Sequence, residues 1–573
     1  DLHNGSFHFG DNPNLSLQSA DASGAVHPPL HTSRLCGFIS TTRCYAAAMP
    51  DIVLSTLNAK YIHAAFGLRY LFANLGELRS RAVIAEFDIN QRPLDIGEAL
   101  LARNPRIIGL GVYIWNVGPT AELVAALKRI RPDVIVILGG PEVSYESEQQ
   151  EITRLADHVI TGEADLEFAR VCGELLAGRA GSPLPQIIPA PLPDFAQLKL
   201  PYDFYTDADV AHRVLYVEAS RGCPFSCEFC LSSLDIPVRQ APLTEFLAAM
   251  QRLLDRGATQ LKFVDRTFNL HTPTSLAILE FCLANWKPGR FFHFEMVPDR
   301  LPEALREIIA RFPPGALQFE VGVQTFDEPT AARISRRQNY AKLEENFRWL
   351  RGHTGVHIHA DLIAGLPGES LEQFGAGFDR LIALGPQEIQ VGILKRLRGT
   401  PIVRHDAEWA VIYNPHAPYE ILQNRLLDFA AMQRVRRFAR YWDLVGNSGN
   451  FLETTPLLWR DGKSPFQEFL HWSDWLFAKI GRTDSIALAR LAELLFNFLV
   501  DEMNVAPRLA AETLWRDYQR GGRHDQPEFL RPHLTHLPPP ERIPGPRNSS
   551  QKRQARHLSG TGERSEQAVD ERR

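Results

Sequence analysis

Three cysteines, Cys223, Cys227 and Cys230, lie close together in the stretch Arg221-Gly222-Cys223-Pro224-Phe225-Ser226-Cys227-Glu228-Phe229-Cys230, spaced C-x3-C-x2-C. The apolar run 214–217 precedes them, which predicts a loop at the C-terminal end of a strand. Thiolates converging from a short Gly- and Pro-bearing loop suit an iron–sulfur cluster. A cube of four irons held by three cysteines leaves one iron without a protein ligand. An open iron can bind a substrate, so the spacing points to a reactive cluster rather than an electron carrier. Zinc is the competing chemistry. Structural zinc sites close with four ligands, and no fourth Cys or His stands at a short zinc-like spacing nearby.

Such a loop needs a scaffold, and the residues after it supply one. Strand-like runs at 214–219, 260–265, 291–296, 317–323, 355–363 and 388–394 alternate with helical runs such as 243–254, 275–284, 301–310 and 371–383. Six strand–helix repeats predict a partial parallel (β/α)6 barrel over 213–400, whose reactive groups gather at the strands' C-terminal ends. Those ends carry Asp265, then Glu295, then Glu320 and Gln324 on one face by period two, then Asp361-Leu362-Ile363-Ala364-Gly365-Leu366-Pro367-Gly368-Glu369. The basic run 333–337 reads as a solvated helix face.

Upstream, strands at 52–57, 82–88, 107–113, 134–138 and 158–161 alternate with amphipathic segments at 64–75 and 120–130. This predicts a Rossmann- or flavodoxin-like α/β domain over 49–178, its parallel sheet covered on both faces. Ligands of such sheets sit beyond the strand C-termini. Three ends stand out: Gly111 to Asn116, Gly139-Gly140-Pro141-Glu142, and Thr161-Gly162-Glu163-Ala164-Asp165. Between the two units, residues 179–212 are proline-dense and read as a semi-extended linker. Helical spacing at 419–441 and 485–503 predicts a helical C-terminal domain over 401–531, with the aromatics near Phe438 and Trp442 in its core. The segments 1–48 and 532–573 have the composition of disordered chain. Met49 opens the first patterned strand, and the preceding residues read as an upstream-translated extension.

The chain has 573 residues, 45% hydrophobic and 23% charged, with a formal net charge of −5. That balance gives no argument for nucleic acid or a membrane as partner, and no apolar run approaches the roughly 18 residues of a span. The remaining cysteines, Cys36, Cys44, Cys172 and Cys282, are scattered, unlike a secreted disulfide framework. A reduced, cytoplasmic setting suits a thiolate-held cluster.

With the aromatic Phe229 just before its last cysteine, the motif resembles the signature of the radical S-adenosylmethionine (SAM) enzymes. The resemblance implies a [4Fe–4S] cluster on Cys223, Cys227 and Cys230. Its open iron would chelate SAM, and electron transfer would cleave SAM to a 5′-deoxyadenosyl radical. It further implies SAM contacts from Phe229, Asp265 (an acceptor for the amino group), Glu295, Glu320, Gln324 and Gly365. The Gly-Gly-Pro and Gly-Glu-x-Asp turns resemble the cobalamin (B12)-binding domain of one branch of that family, implying contacts from Gly139, Gly140, Gly162 and Glu163. Tyr113 or Trp115 would lie beneath the corrin, or pack into the sheet edge. The loop after the first strand lacks the cobalt-ligating Asp-x-His-x-x-Gly pattern, so His63 reads as a packed or surface residue and cobalamin would bind without it. Region 401–531 resembles an uncharacterised C-terminal extension of that branch.

The function so implied is methylation of an unactivated carbon of a small-molecule substrate, with a reductant protein such as flavodoxin or ferredoxin as partner. Two alternatives remain: oxidative cyclisation of the anaerobic magnesium-porphyrin cyclase type, and a noncatalytic cluster-and-corrin sensor.

Overall fold

The computed structural model describes residues 49–178, 184–235, 237–521, 523, 525–534 and 552–558. The expected extension 1–48 lies outside them. The first sheet contains β1 (Ile52–Asn58), β2 (Ala82–Asp88), β3 (Ile107–Gly111), β4 (Ile135–Gly139), β5 (His158–Thr161) and β6 (Ile187–Pro189). All pair in parallel, in the order β2-β1-β3-β4-β5-β6. Every residue of β1 is buried, as a strand covered on both faces requires. The order reverses beside β1, so the ligand crevice of this sheet opens between β1 and β3. Strand β6 lies in the stretch whose prolines predict a linker. It is an edge strand, where a proline's missing N–H removes no ladder bond, and Pro189 stands opposite Thr161 at its end.

The second unit starts at β7 (Leu215–Val217). A short antiparallel pair follows, β8 (Ser220–Arg221) with β9 (Arg239–Gln240). Then come β10 (Gln260–Phe263), β11 (Phe291–Met296), β12 (Leu317–Gln324), β13 (His357–Ala364) and β14 (Glu388–Ile393). The parallel order is β14-β13-β12-β11-β10-β7. The sheet is strongly curved: Lys262 on β10 reaches Glu320 on β12, across β11, at 3.4 Å. Helices Leu243–Asp255, Thr272–Ala284, Glu303–Ile309, Tyr340–His353 and Leu371–Leu384 intervene, making the expected open (β/α)6 barrel.

The C-terminal region is largely helical, as expected. Short helical turns at Pro401–His405 and Asp406–Trp409 lead into a hairpin, β15 (Ile412–Tyr413) and β16 (Ile421–Gln423), so the helix expected from 419 starts only at Phe429–Leu444. Phe438 and Trp442 are buried and pack on Phe378 of the last barrel helix. Helix Lys552–Leu558 corrects the expectation of disorder after 532. It sits against the N-terminal ends of the barrel strands. Arg553 pairs with Glu388 and Asp443, both at 3.0 Å, and Gln554 donates to Gln318 at 2.9 Å. Among the described residues, no helix is long and apolar enough to cross a membrane.

Candidate functional site

The cysteine loop is the tip of the β8–β9 hairpin, in which Arg221 stands opposite Arg239. Gly222 opens the loop at φ +91°, and a Cβ there would meet the carbonyl oxygens of Asp235 and Pro237 at 2.8 Å. Only glycine fits so close a crossing. Cys223 N–H donates to Asp235 O at 3.0 Å, and Cys230 N–H to Cys227 O at 3.1 Å. All three cysteines line one cavity of about 120 Å³. Among the described residues, no three His, Cys, Asp or Glu side chains gather tightly enough to hold a single metal ion. Facing one shared cavity, the three thiols suit the ligand set of a polynuclear iron–sulfur group. Burial pushes the Cys223 thiol up to about 11, so ligation there must displace a proton.

Of the expected SAM contacts, Phe229, Glu295, Glu320 and Gln324 line the cysteine cavity. Asp265 does not. Its carboxylate accepts the Ala219 N–H at 3.1 Å and the Ser220 hydroxyl at 2.6 Å, bracing the root of the cysteine hairpin. Gly365 also lies elsewhere: its φ is +92°, its missing side chain makes room for Ile421 and Met432, and its carbonyl accepts from Asn424. Among the other residues of the wall are three charged ones that the sequence did not single out for this role: Arg266, Arg336 and Asp361. Arg336 belongs to the run read as a solvated face. Instead it donates to Gly322 O, to Val323 O at 3.2 Å and to the Cys227 sulfur at 3.4 Å.

The wall is a buried charge network. Arg266 pairs with Glu295 at 2.9 Å. Burial alone would raise the Glu320 carboxyl, but Lys262 and the 3.0 Å contact with His293 hold it well below the usual carboxylate range. Burial, with Glu320 and Glu295 as charged neighbours, pushes Asp361 well above that range. Two carboxyls one strand apart are thus driven in opposite directions, Glu320 toward the ionised form and Asp361 toward the protonated one. Burial and Lys262 lower His293 to about 3, leaving it neutral.

Two more cavities adjoin this one. A cavity of about 420 Å³ lies at the C-terminal ends of the first sheet, lined by Tyr113, Gly139, Gly140, Gly162 and Glu163. Gly140 has φ +111°, and a Cβ there would stand 2.5 Å from Val112 O. The other cavity, about 840 Å³, lies between Trp115, the ends of β12 to β14, and the C-terminal region. Tyr113 and Trp115 stack at 4.3 Å and 7°, one ring facing each of these cavities. The cysteine cavity shares Ser232 and Arg266 with the first of them and Phe229, Glu320, Gln324 and Asp361 with the second. Glu163 also carries ion pairs to Arg221 and Arg239. His63 bonds Tyr216 of the barrel, and burial lowers it to about 4.

This geometry agrees with comparisons to known proteins. Residues 52–171 match the B12 binding domain family, residues 217–381 the Radical SAM superfamily, and residues 407–537 a protein family of unknown function, DUF4080. The chain therefore joins a region that matches the B12 binding domain to one that matches the Radical SAM superfamily. An uncharacterized methyltransferase of Pyrococcus horikoshii is 27% identical over 238 residues, which is 37% of this chain and 50% of the relative. The chain spans about half the length of the curated relatives it matches. Among solved structures, the cobalamin-dependent S-adenosylmethionine radical enzyme OxsB has a TM-score of 0.55 at 12% identity, over 89% of this chain and 84% of that one. The radical S-adenosylmethionine methyltransferase TsrM from Kitasatospora setae has a TM-score of 0.53 at 15% identity, over 66% of this chain and 80% of that one. At these identities the likeness is one of fold.

Proposed function

We propose that this chain is a cobalamin-dependent radical SAM methyltransferase acting on an unactivated carbon of a small-molecule substrate. The observation that carries the proposal is the meeting of three cavities around the cysteine loop. Cys223, Cys227 and Cys230 would hold a [4Fe–4S] cluster, and the glycine-lined cavity of the first domain would hold cobalamin. Bound there, the cluster supplies the electron that cleaves SAM to a 5′-deoxyadenosyl radical, and cobalamin supplies a transferable methyl group. The protein's own part is to orient and to exclude water. Glu320 and the Gln324 carbonyl would offer acceptors to SAM hydroxyl or ammonium groups. Asp361, its carboxyl biased by burial toward the protonated form, would offer a donor. Because Phe229, Glu320, Gln324 and Asp361 also face the 840 Å³ cavity, a substrate there would lie beside SAM. A carbon radical takes any nearby weak C–H hydrogen, so this shared wall must present one and shield the rest. A protein reductant such as flavodoxin or ferredoxin, in the cytoplasm, would deliver the electrons.

Anaerobic reconstitution with iron, sulfide and cobalamin, followed by visible spectroscopy, tests the cofactors. Incubation with reductant and labelled SAM then tests the chemistry through 5′-deoxyadenosine and label transfer. Cluster absorption without retained corrin would reduce the protein to a radical enzyme with a vestigial first domain. No 5′-deoxyadenosine under reducing, anaerobic conditions would overturn the proposal.

A further inference from the structure

We infer that cobalamin binding and cluster assembly are thermodynamically coupled, through the cysteine hairpin and an ionic clamp centred on Glu163. The inference rests on the functional reading above, that both groups bind this chain.

The 420 Å³ cavity is not built from the first domain alone. Its far wall is the cysteine hairpin: Ser220, Arg221, Gly222, Leu231, Ser232 and Asp235. A corrin in that cavity would rest against the same loop whose thiols turn toward the adjoining cavity. Ser232 lines both spaces and lies two residues beyond Cys230. Ligating three thiols would remove freedom from this loop, and a loop already ordered costs less to press against a second ligand.

The clamp sets how firmly the hairpin meets the first domain. Arg221 and Arg239 are cross-strand partners at its root, and both bond Glu163 of the turn that walls the corrin cavity from the other side, Arg221 at 2.9 Å. Arg221 also donates to Asp165 at 2.9 and 3.2 Å and to Glu218 at 2.8 Å. Its guanidinium lies over the rings of Tyr70 at 4.4 Å and Phe195 at 4.8 Å, so it cannot move without breaking contacts on every side. Burial disfavours the Glu163 carboxylate, but Arg239 and Arg221 outweigh it and hold the group below its ordinary value. Glu163 is thus the one carboxylate shared by both root arginines. It is a positioning residue that fixes the hairpin against the corrin wall.

Coupling of this kind is reciprocal and can be read without turnover. Aquacobalamin affinity is measured by anaerobic visible titration on the full chain, cluster-free and cluster-loaded, for wild type and for Arg239→Gln, which removes one arm of the clamp while Arg221 keeps its bonds to Glu163, Asp165 and Glu218. Cluster-loaded wild type should bind aquacobalamin about fivefold or more tightly than cluster-free wild type, the low end of typical coupling. In Arg239→Gln the ratio should fall toward one while the variant still binds cobalamin and reconstitutes its cluster. A purely structural role for the clamp would lower both affinities and leave their ratio intact, which overturns the inference. So would equal affinities in the two wild-type states. Failure of wild type to bind aquacobalamin in either state would instead sink the functional reading beneath it. Should Arg239→Gln not fold, Arg239→Lys keeps the charge but loses the two-pronged bond to Glu163, and the same ratio is read.

Discussion

Asp265 gives the most quantitative prediction. Burial in the barrel holds its carboxyl at about 7 against an ordinary 3.8, despite bonds from Ala219 and Ser220. The folded value lies above the unfolded one, so the protonated acid is the form that folding favours. Its contribution is fully present below the unfolded value and is lost as pH rises toward about 7. Over the whole window the loss is about 4 kcal/mol, and between pH 5 and pH 8 it is about 2.5 kcal/mol. Asp265→Asn cannot ionise and should escape this loss. The variant should therefore gain about 2.5 kcal/mol on wild type between pH 5 and pH 8, whatever its standing at either pH alone. The chain has more than one unfolding unit, so the readout must be local. Urea unfolding of the cluster-free chain, followed by hydrogen exchange in peptide 215–222, reports on β7 and the hairpin root. Parallel pH dependences for wild type and variant would refute the assignment of a protonated Asp265 to the folded state.

Three other outcomes are expected. Replacing Cys223, Cys227 or Cys230 by Ala should abolish the cluster absorption after reconstitution, and an intact cluster in any of them would contradict the ligand set. Gly140→Ala forces a Cβ to 2.5 Å from Val112 O at φ +111°; it should cost about 1–3 kcal/mol of local stability and reduce retained cobalamin, as read by hydrogen exchange and gel filtration with the corrin. Arg553→Ala leaves the buried Glu388 with His357 as its remaining close partner. It should destabilise the barrel by about 3 kcal/mol, checked by urea midpoint, and an unchanged midpoint would mean that helix Lys552–Leu558 does not bind there in solution.

The sequence made the barrel legible because its strands are short apolar runs separated by helical periods: β11 has the bounds expected of it, and the others shift by a few residues. The cysteine spacing was equally plain, since ligands on one loop are close in the chain. What escaped was decided by contacts between distant segments. Arg336 looks like any surface arginine in a basic run, yet β12 and the cysteine loop fold over it. Asp265 ends its strand as a SAM ligand would, but the neighbouring strand takes both its oxygens. Asp361 was visible only as part of a turn motif, because its weakened acidity comes from burial and from Glu320 and Glu295 on other strands. Proline content suggested a linker where β6 lies, because composition does not distinguish an edge strand from an extended tether.

Helix Lys552–Leu558 also bears on how the chain is made. It meets β14 through Arg553 and Glu388, 165 positions apart, and β12 through Gln554 and Gln318, 236 positions apart. On the ribosome every barrel strand emerges well before the segment that seals the barrel's floor. During that interval Gln318, His357 and Glu388 face water, and the contacts of this helix form last. A nascent barrel in this state depends on its C-terminal helices arriving before a neighbouring chain does.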